Sequence, residues 1–159
     1  MKAHEITPEV DPAALLFGAQ FIDAFRIATT ATKLDARQAA EKMLTFGPRW
    51  IEALLTLRNI LVRPFGLKTS GAGESVSGEA IGIFPVLGAT PERLVAGFDD
   101  HHLDFRIVID VAATDNGQQI TATTLVRTHN LLGRTYLQLI MPFHRLIVRT
   151  LLRQAAATL

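Results

Sequence analysis

Residues 102–128, HLDFRIVIDVAATDNGQQITATTLVRT, decide the fold. From His102 to Ala113 apolar and polar residues alternate. Leu103, Phe105, Ile107, Ile109 and Val111 share one face, and His102, Asp104, Arg106 and Asp110 share the other. A period of two marks a strand buried on one side. Asn116-Gly117 is the strongest short hairpin signal, because both central positions of a type I′ turn need positive φ. Ile120 to Thr128 is then the partner strand. A turn at Asn116-Gly117 pairs Asp115 with Gln118, and so sets Asp104 opposite His129 and Arg106 opposite Arg127. In that register the apolar row of the first strand lies beside Ile120, Ala122, Thr124, Val126 and Thr128.

The chain on either side of the hairpin reads as alternating short strands and helices. After it, Leu132, Tyr136, Leu139, Ile140, Phe143, Leu146, Ile147 and Leu151 recur at helical spacing, predicting one long helix to about Ala157. Pro142 lies inside that pattern and predicts a bend or break within the turn before it, since its ring collides with the carbonyl of Gln138. Before the hairpin, Arg93 to Phe98 reads as a strand. Ala80 to Val86 is a short strand that Gly82 and Pro85 weaken and place at an edge. Residues 69–78 are small and polar and read as a flexible loop. Their Gly71-Ala72-Gly73 is no dinucleotide fingerprint, because the third glycine would fall at Val76. Two helices are expected further upstream. The first starts at Asp35 with Gln38 completing a capping box, and stops at Gly47. The second starts at Pro48, carries Ile51, Leu54, Leu55, Leu61 and Val62, and ends at Pro64 and Gly66. Gln20 to Thr29 is the first strand, with a turn of helix available over Ala13 to Leu16. Residues 1–12 are a polar lead-in.

The whole chain, 159 residues and 17.4 kDa, fits one domain spanning 1–159. With 48% hydrophobic and 19% charged residues it has material for a core, and the disordered class is excluded. A formal charge of +1 implies no nucleic-acid partner. The absence of cysteine excludes disulfides, thiolate nucleophiles and cysteine-based metal sites. Met1 to Pro12 lacks the basic start and apolar stretch of a secretory signal, and no apolar run is long enough for a membrane span. A soluble, cytoplasmic α+β domain is expected, and no cofactor is implied.

A strand, two helices, four antiparallel strands and a long final helix is the element order of a helix-grip domain, in which an antiparallel sheet wraps a long C-terminal helix. Specific residues carry a further likeness. Gly97-Phe98-Asp99-Asp100, His102-Leu103-Asp104-Phe105-Arg106, Val126-Arg127-Thr128-His129-Asn130 with Gly133-Arg134 and Tyr136, and Pro142-Phe143-His144-Arg145 with Ile147 resemble family 2867 of the domains of unknown function. Asp23-Ala24-Phe25, Pro48-Arg49-Trp50 and Pro64-Phe65-Gly66-Leu67 look like its N-terminal signatures. The likeness spans roughly Gln20 to Arg153. It implies a bacterial protein, START-like at the level of fold, whose relatives in some cases follow a short-chain-dehydrogenase-like nucleotide-binding domain. It implies no activity.

Three functions fit these residues. In the first, a small, mostly apolar ligand binds between the sheet and the last helix. Its lining would be Phe105, Ile107, Val126, Tyr136 and Phe143, with Thr124 and Thr128 as polar handles. In the second, an exposed face docks a second copy, as a homodimer, or an oxidoreductase partner. The third is an acid–base enzyme working through His129 or His144. The polar hairpin face (His102, Asp104, Arg106, Arg127, His129) offers a carboxylate to orient an imidazole and two arginines for an anion. It reads equally as a solvated ladder with ordinary cross-strand ion pairs. His144, beside the buried stripe, reads as a boundary histidine paired with a carboxylate. Asp99, Asp100, His101, His102 and Asp104 make no metal site, because adjacent strand residues point to opposite faces. Arg145, Arg149 and Arg153 form a basic stripe that suits a solvated helix end better than a membrane.

Overall fold

The computed structural model describes residues 2–30, 32–44, 80–81, 84–99 and 103–157. In chain order its elements are β1 (His4–Ile6), α1 (Pro12–Leu15), β2 (Phe21–Thr29), α2 (Ala36–Leu44), β3 (Ala80–Ile81), β4 (Phe84–Ala89), β5 (Arg93–Asp99), β6 (Leu103–Thr114), β7 (Gly117–Thr128) and α3 (Leu131–Ala157). All strand pairs are antiparallel, in the order β1-β2-β7-β6-β5-β4-β3. The expected α+β architecture is present: α2 and α3 pack on each other and on one face of the sheet.

The core follows from strand parity. On the helix-covered face, cross-strand neighbours form rows: Phe21, Val126, Phe105; then Asp23, Thr124, Ile107, Ala96; then Phe25, Ala122, Ile109, Leu94; then Ile27, Ile120, Val111. Ala36, Ala39, Ala40 and Met43 from α2 and Val148, Leu151, Leu152 and Ala155 from α3 close over them. The capping box forms as expected. Gln38 N–H donates to Asp35 Oδ1 at 2.7 Å, and Asp35 N–H to Gln38 Oε1 at 3.0 Å. At the other end of the chain Asn130 Oδ1 accepts from Gly133 N–H at 2.9 Å and caps α3.

The hairpin departs from its expected register. Thr114 pairs with Gly117, so the turn is Asp115-Asn116, and every pair slides by two residues. No described non-glycine residue has positive φ, whereas Gly117 has φ 152°. Its position is fixed by the neighbouring strand: a Cβ there would lie 2.1 Å from the Thr29 carbonyl oxygen. The glycine assigned to the turn is needed instead for the approach of β2. A slip of two keeps parity, so both faces keep their residues and only the direct partners change.

Other departures are local. Ala80 to Val86 is not one strand; β3 and β4 fold back on each other with Ile81 opposite Phe84. The lead-in is not wholly irregular, since His4–Ile6 pairs with β2 and Asp11 caps α1. At Pro142 the chain stays helical, so no break is made. Pro142 and Gln138 are both exposed, and the carbonyl that loses its ladder partner is on the solvent side. The second helix expected from Pro48 and the loop at 69–78 lie outside the described residues.

Gln118 fixes the approach to α2. Its Oε1 accepts from Leu34 N–H at 3.0 Å and its Nε2 donates to the Leu34 carbonyl at 2.9 Å, both buried. Gln118→Leu orphans two buried backbone groups, and its expected cost is about 2–3 kcal/mol. Denaturant unfolding checks this, with a lowered midpoint and an unchanged m-value as the expected result.

Candidate functional site

Asp23 is the one acid on the helix-covered face of β2, between Phe21 and Phe25. It is 6% exposed. Across the interface α3 presents His144, whose Nε2 lies 3.3 Å from Asp23 Oδ1 in hydrogen-bonding geometry. Oδ2 is slightly nearer, at 3.2 Å, but outside hydrogen-bonding angles. One N–H therefore serves Oδ1, and the buried Oδ2 has no hydrogen-bond partner among the described residues. The edge of the His144 ring is held by Phe21, at 5.9 Å between centroids and 83° between planes.

Thr124, directly opposite Asp23 on β7, is 2% exposed, and its hydroxyl also has no partner among the described residues. Two orphaned polar atoms thus sit side by side on an apolar sheet face. Each such group costs on the order of 1–3 kcal/mol when unmet. The surrounding rows are apolar and aromatic, and Phe84 stacks at a tilt on Phe105, 5.5 Å between centroids. Arg149 of α3 lies over the Phe25 ring at 5.3 Å.

The residues expected to line a ligand site are partly gathered here. Phe105, Ile107, Thr124, Val126 and Thr128 share the helix-covered face. Thr128 is not a spare handle: its hydroxyl and its N–H both donate to Gln20 Oε1. Tyr136 is half-buried. Phe143 is 51% exposed, and Leu139 and Leu146 are exposed with it. Those three bulky residues of the expected buried stripe point outward because α3 meets the sheet with another face, on which Gly133, Val148, Leu151, Leu152, Ala155 and Ala156 are buried; of the expected stripe, Leu151 is among them. His144 was recognisable as a histidine awaiting a carboxylate. Its partner Asp23 was missed, although a lone acid flanked at i±2 by phenylalanines is a readable sign.

The outer face resolves differently from expectation. Asp104 is opposite Arg127, not His129, and Arg106 is opposite Leu125, not Arg127. The like-charge pairing is therefore absent. Asp104 still reaches His129 diagonally, Oδ1 to Nε2 at 2.9 Å, while Arg106 bonds Asp99 at 2.8 Å. Arg127 donates to the Phe17 carbonyl at 3.3 Å. Arg93 grips its partner Asp110 with two bonds of 2.6 and 3.1 Å, and that hydrogen bonding raises the guanidinium pKa further above its ordinary value. Nor is this face simply solvated. Val10, Leu15, Leu16 and Ala19 of the N-terminal segment cover Ile22, Val95, Val108 and Leu125. His102 lies outside the described residues.

The family model described as "Protein of unknown function (DUF2867)" matches residues 15–151. The chain belongs to that family. The match thus covers the sheet from β2 onward and both partners of the buried Asp23–His144 pair. No curated protein matches this DUF2867 chain. Among solved structures, it is similar to a Rhodobacter sphaeroides protein at 10% identity and TM-score 0.49, covering 99% of this chain and 97% of that one. It is similar to CalU16 from Micromonospora echinospora at 13% and 0.42, covering 82% and 71%. A conserved protein from Geobacillus kaustophilus gives 14% and 0.42, covering 87% and 94%. At these values the likenesses carry no argument about function. Among the described residues no helix is long and apolar enough to cross a membrane, and none of the His, Asp and Glu groups could hold a metal ion.

Proposed function

We propose that this DUF2867 chain binds a small, mostly apolar molecule with a polar head, between the helix-covered sheet face and α3. The carrying observation is the pair of buried, unpartnered atoms, Asp23 Oδ2 and Thr124 Oγ1, on adjacent strands. Folded proteins seldom leave such atoms unmet, and the described rows on either side of them are mostly apolar. Asp23 and Thr124 supply the polar contacts, and Val126, Ile107 and Phe105 the apolar wall.

Native mass spectrometry of the purified protein tests the reading by showing whether a compound is retained. With that compound in hand, Thr124→Val keeps the shape and removes the hydroxyl. The expected result is a stability within about 1 kcal/mol of wild type with binding weakened about three- to tenfold. Asp104→Asn and Arg127→Gln on the outer face leave binding unchanged. Equal affinity for Thr124→Val and loss in Arg127→Gln would move the site to the outer face.

A second reading, self-association, is favoured by the exposed Leu131, Leu139, Phe143 and Leu146 along α3. Sedimentation equilibrium tests it: a monomer mass at all concentrations removes it.

A further inference from the structure

We infer that Asn116 is a site of spontaneous modification, converted to aspartate and isoaspartate by attack of the Gly117 backbone nitrogen, and that the isoaspartate alone loosens the fold. This stands apart from the ligand-binding reading above. The chain has three asparagines, Asn59, Asn116 and Asn130, and Asn116 is the one followed by glycine. Gly117 carries no side chain to crowd the approach of its nitrogen to the neighbouring amide. Asn116 stands in the exposed turn Asp115-Asn116, and its amide makes no hydrogen bond among the described residues. Asn130 is the contrast. Its Oδ1 is held by Gly133 N–H as the cap of α3, and Leu131 follows it. Asn59 is followed by Ile60, whose branched side chain crowds the same approach.

The chemistry consumes only water. Gly117 N gives its proton to hydroxide and attacks Asn116 Cγ; the Cγ–Nδ2 bond breaks, and the amide nitrogen takes a proton from water and leaves as ammonia. One water then opens the five-membered imide. Cleavage between the nitrogen and Cγ restores the ordinary chain with aspartate at 116. Cleavage between the nitrogen and the main-chain carbonyl carbon leaves the chain running through Cβ and Cγ, which is isoaspartate. Gly117 must first leave its rung with Thr114, the last of the β6–β7 ladder, and such ends open locally without global unfolding. The two products differ in the backbone. Aspartate adds a charge to an exposed turn, whereas isoaspartate lengthens the chain by one carbon, about 1.5 Å. β7 has no room for that length. An added Cβ on Gly117 would meet the Thr29 carbonyl oxygen at 2.1 Å and Thr30 Cα at 2.9 Å, and the next residue, Gln118, makes two side-chain bonds to Leu34. The extra atom therefore strains the seating of β7 against β2, the two strands that set Thr124 opposite Asp23.

Incubation of the full chain at mildly alkaline pH, followed by peptide mapping, tests the inference. The expected result is amide-to-acid conversion at Asn116 at least about tenfold faster than at Asn130, where a cap bond must break first and Leu131 crowds the nitrogen. The rate rises with pH, because the attacking nitrogen must lose its proton. Methyl labelling by a protein isoaspartyl methyltransferase reads the isoaspartate. Asn116→Gln, whose longer side chain would have to close a six-membered ring, removes that label. Aged wild type should show a second thermal transition about 3 °C or more below the first, with an amplitude that tracks the label. Freshly prepared Asn116→Asp supplies the other product and should melt within about 2 °C of unaged wild type. Conversion at Asn130 as fast as at Asn116, or a label that survives Asn116→Gln, overturns the site. A labelled form that melts with the unaged protein, or an Asn116→Asp protein that falls as far as the labelled form, overturns the strain assigned to the added carbon.

Discussion

Gly97→Ala is expected to cost on the order of 4 kcal/mol, enough to lower the melting temperature by roughly 10 °C. Gly97 has φ 150°, and a Cβ at this position would lie 2.1 Å from the Phe105 carbonyl oxygen and 2.9 Å from its carbon. Both atoms are backbone of β6, so no side-chain rotation relieves the clash. The strand must move or rotate, and Phe105 and Ile107 line the helix-covered face just there. Gly88→Ala is the control. It sits at the irregular step between β4 and β5, where an added Cβ would meet nothing within 4 Å beyond its chain neighbours. Its expected effect is within about 1 kcal/mol. Thermal unfolding of the two variants side by side is the deciding measurement. Equal melting temperatures would mean that β5 and β6 do not approach as described.

His144→Leu is the second large effect. It leaves Asp23 buried with neither carboxyl oxygen partnered, and breaking such a pair from one side typically costs about 3–5 kcal/mol. The loss belongs to the stranded carboxyl rather than to the imidazole. Asp23→Val combined with His144→Leu should therefore recover at least half of it, since apolar replacement of both partners is often near neutral. A double variant as unstable as the single one would assign the loss to packing against Phe21 instead. The two proteins also differ in use: the double variant keeps the fold and loses the polar recognition that the site is proposed to provide.

The extent to which this was readable in advance varies by element for physical reasons. Strand parity is a local property, so the alternation from Leu103 to Val111 and the helix start at Asp35 translate directly into structure. The hairpin register depends on a non-local contact. Gly117 is claimed by the Thr29 carbonyl of a strand far earlier in the chain, and nothing near the turn announces it. The orientation of α3 was ambiguous because the helix is apolar around more than half of its circumference. Bulky Leu139, Phe143 and Leu146 suggest one stripe, yet the face that is buried carries Val148, Leu151, Leu152 and Ala155. The site shows the same division. Thr124 was legible as a polar residue on an apolar row, and His144 as a histidine at a boundary. Their meeting with Asp23 needed the strand order, because β2 pairs with β7 across the whole intervening chain.

The cover that residues 10–19 lay over the outer face makes this segment a fastener rather than a tail. Val10, Leu15, Leu16 and Ala19 keep Val108 and Leu125 dry, and the Arg127 guanidinium closes the far side by holding the Phe17 carbonyl. A protease cut near Gly18 would therefore do more than shorten the chain. It would unzip a greasy strip along the middle of the sheet's back, on the side away from the buried Asp23–His144 pair. The resulting fragment would be prone to precipitate while its inner face still carried Asp23, Thr124 and His144.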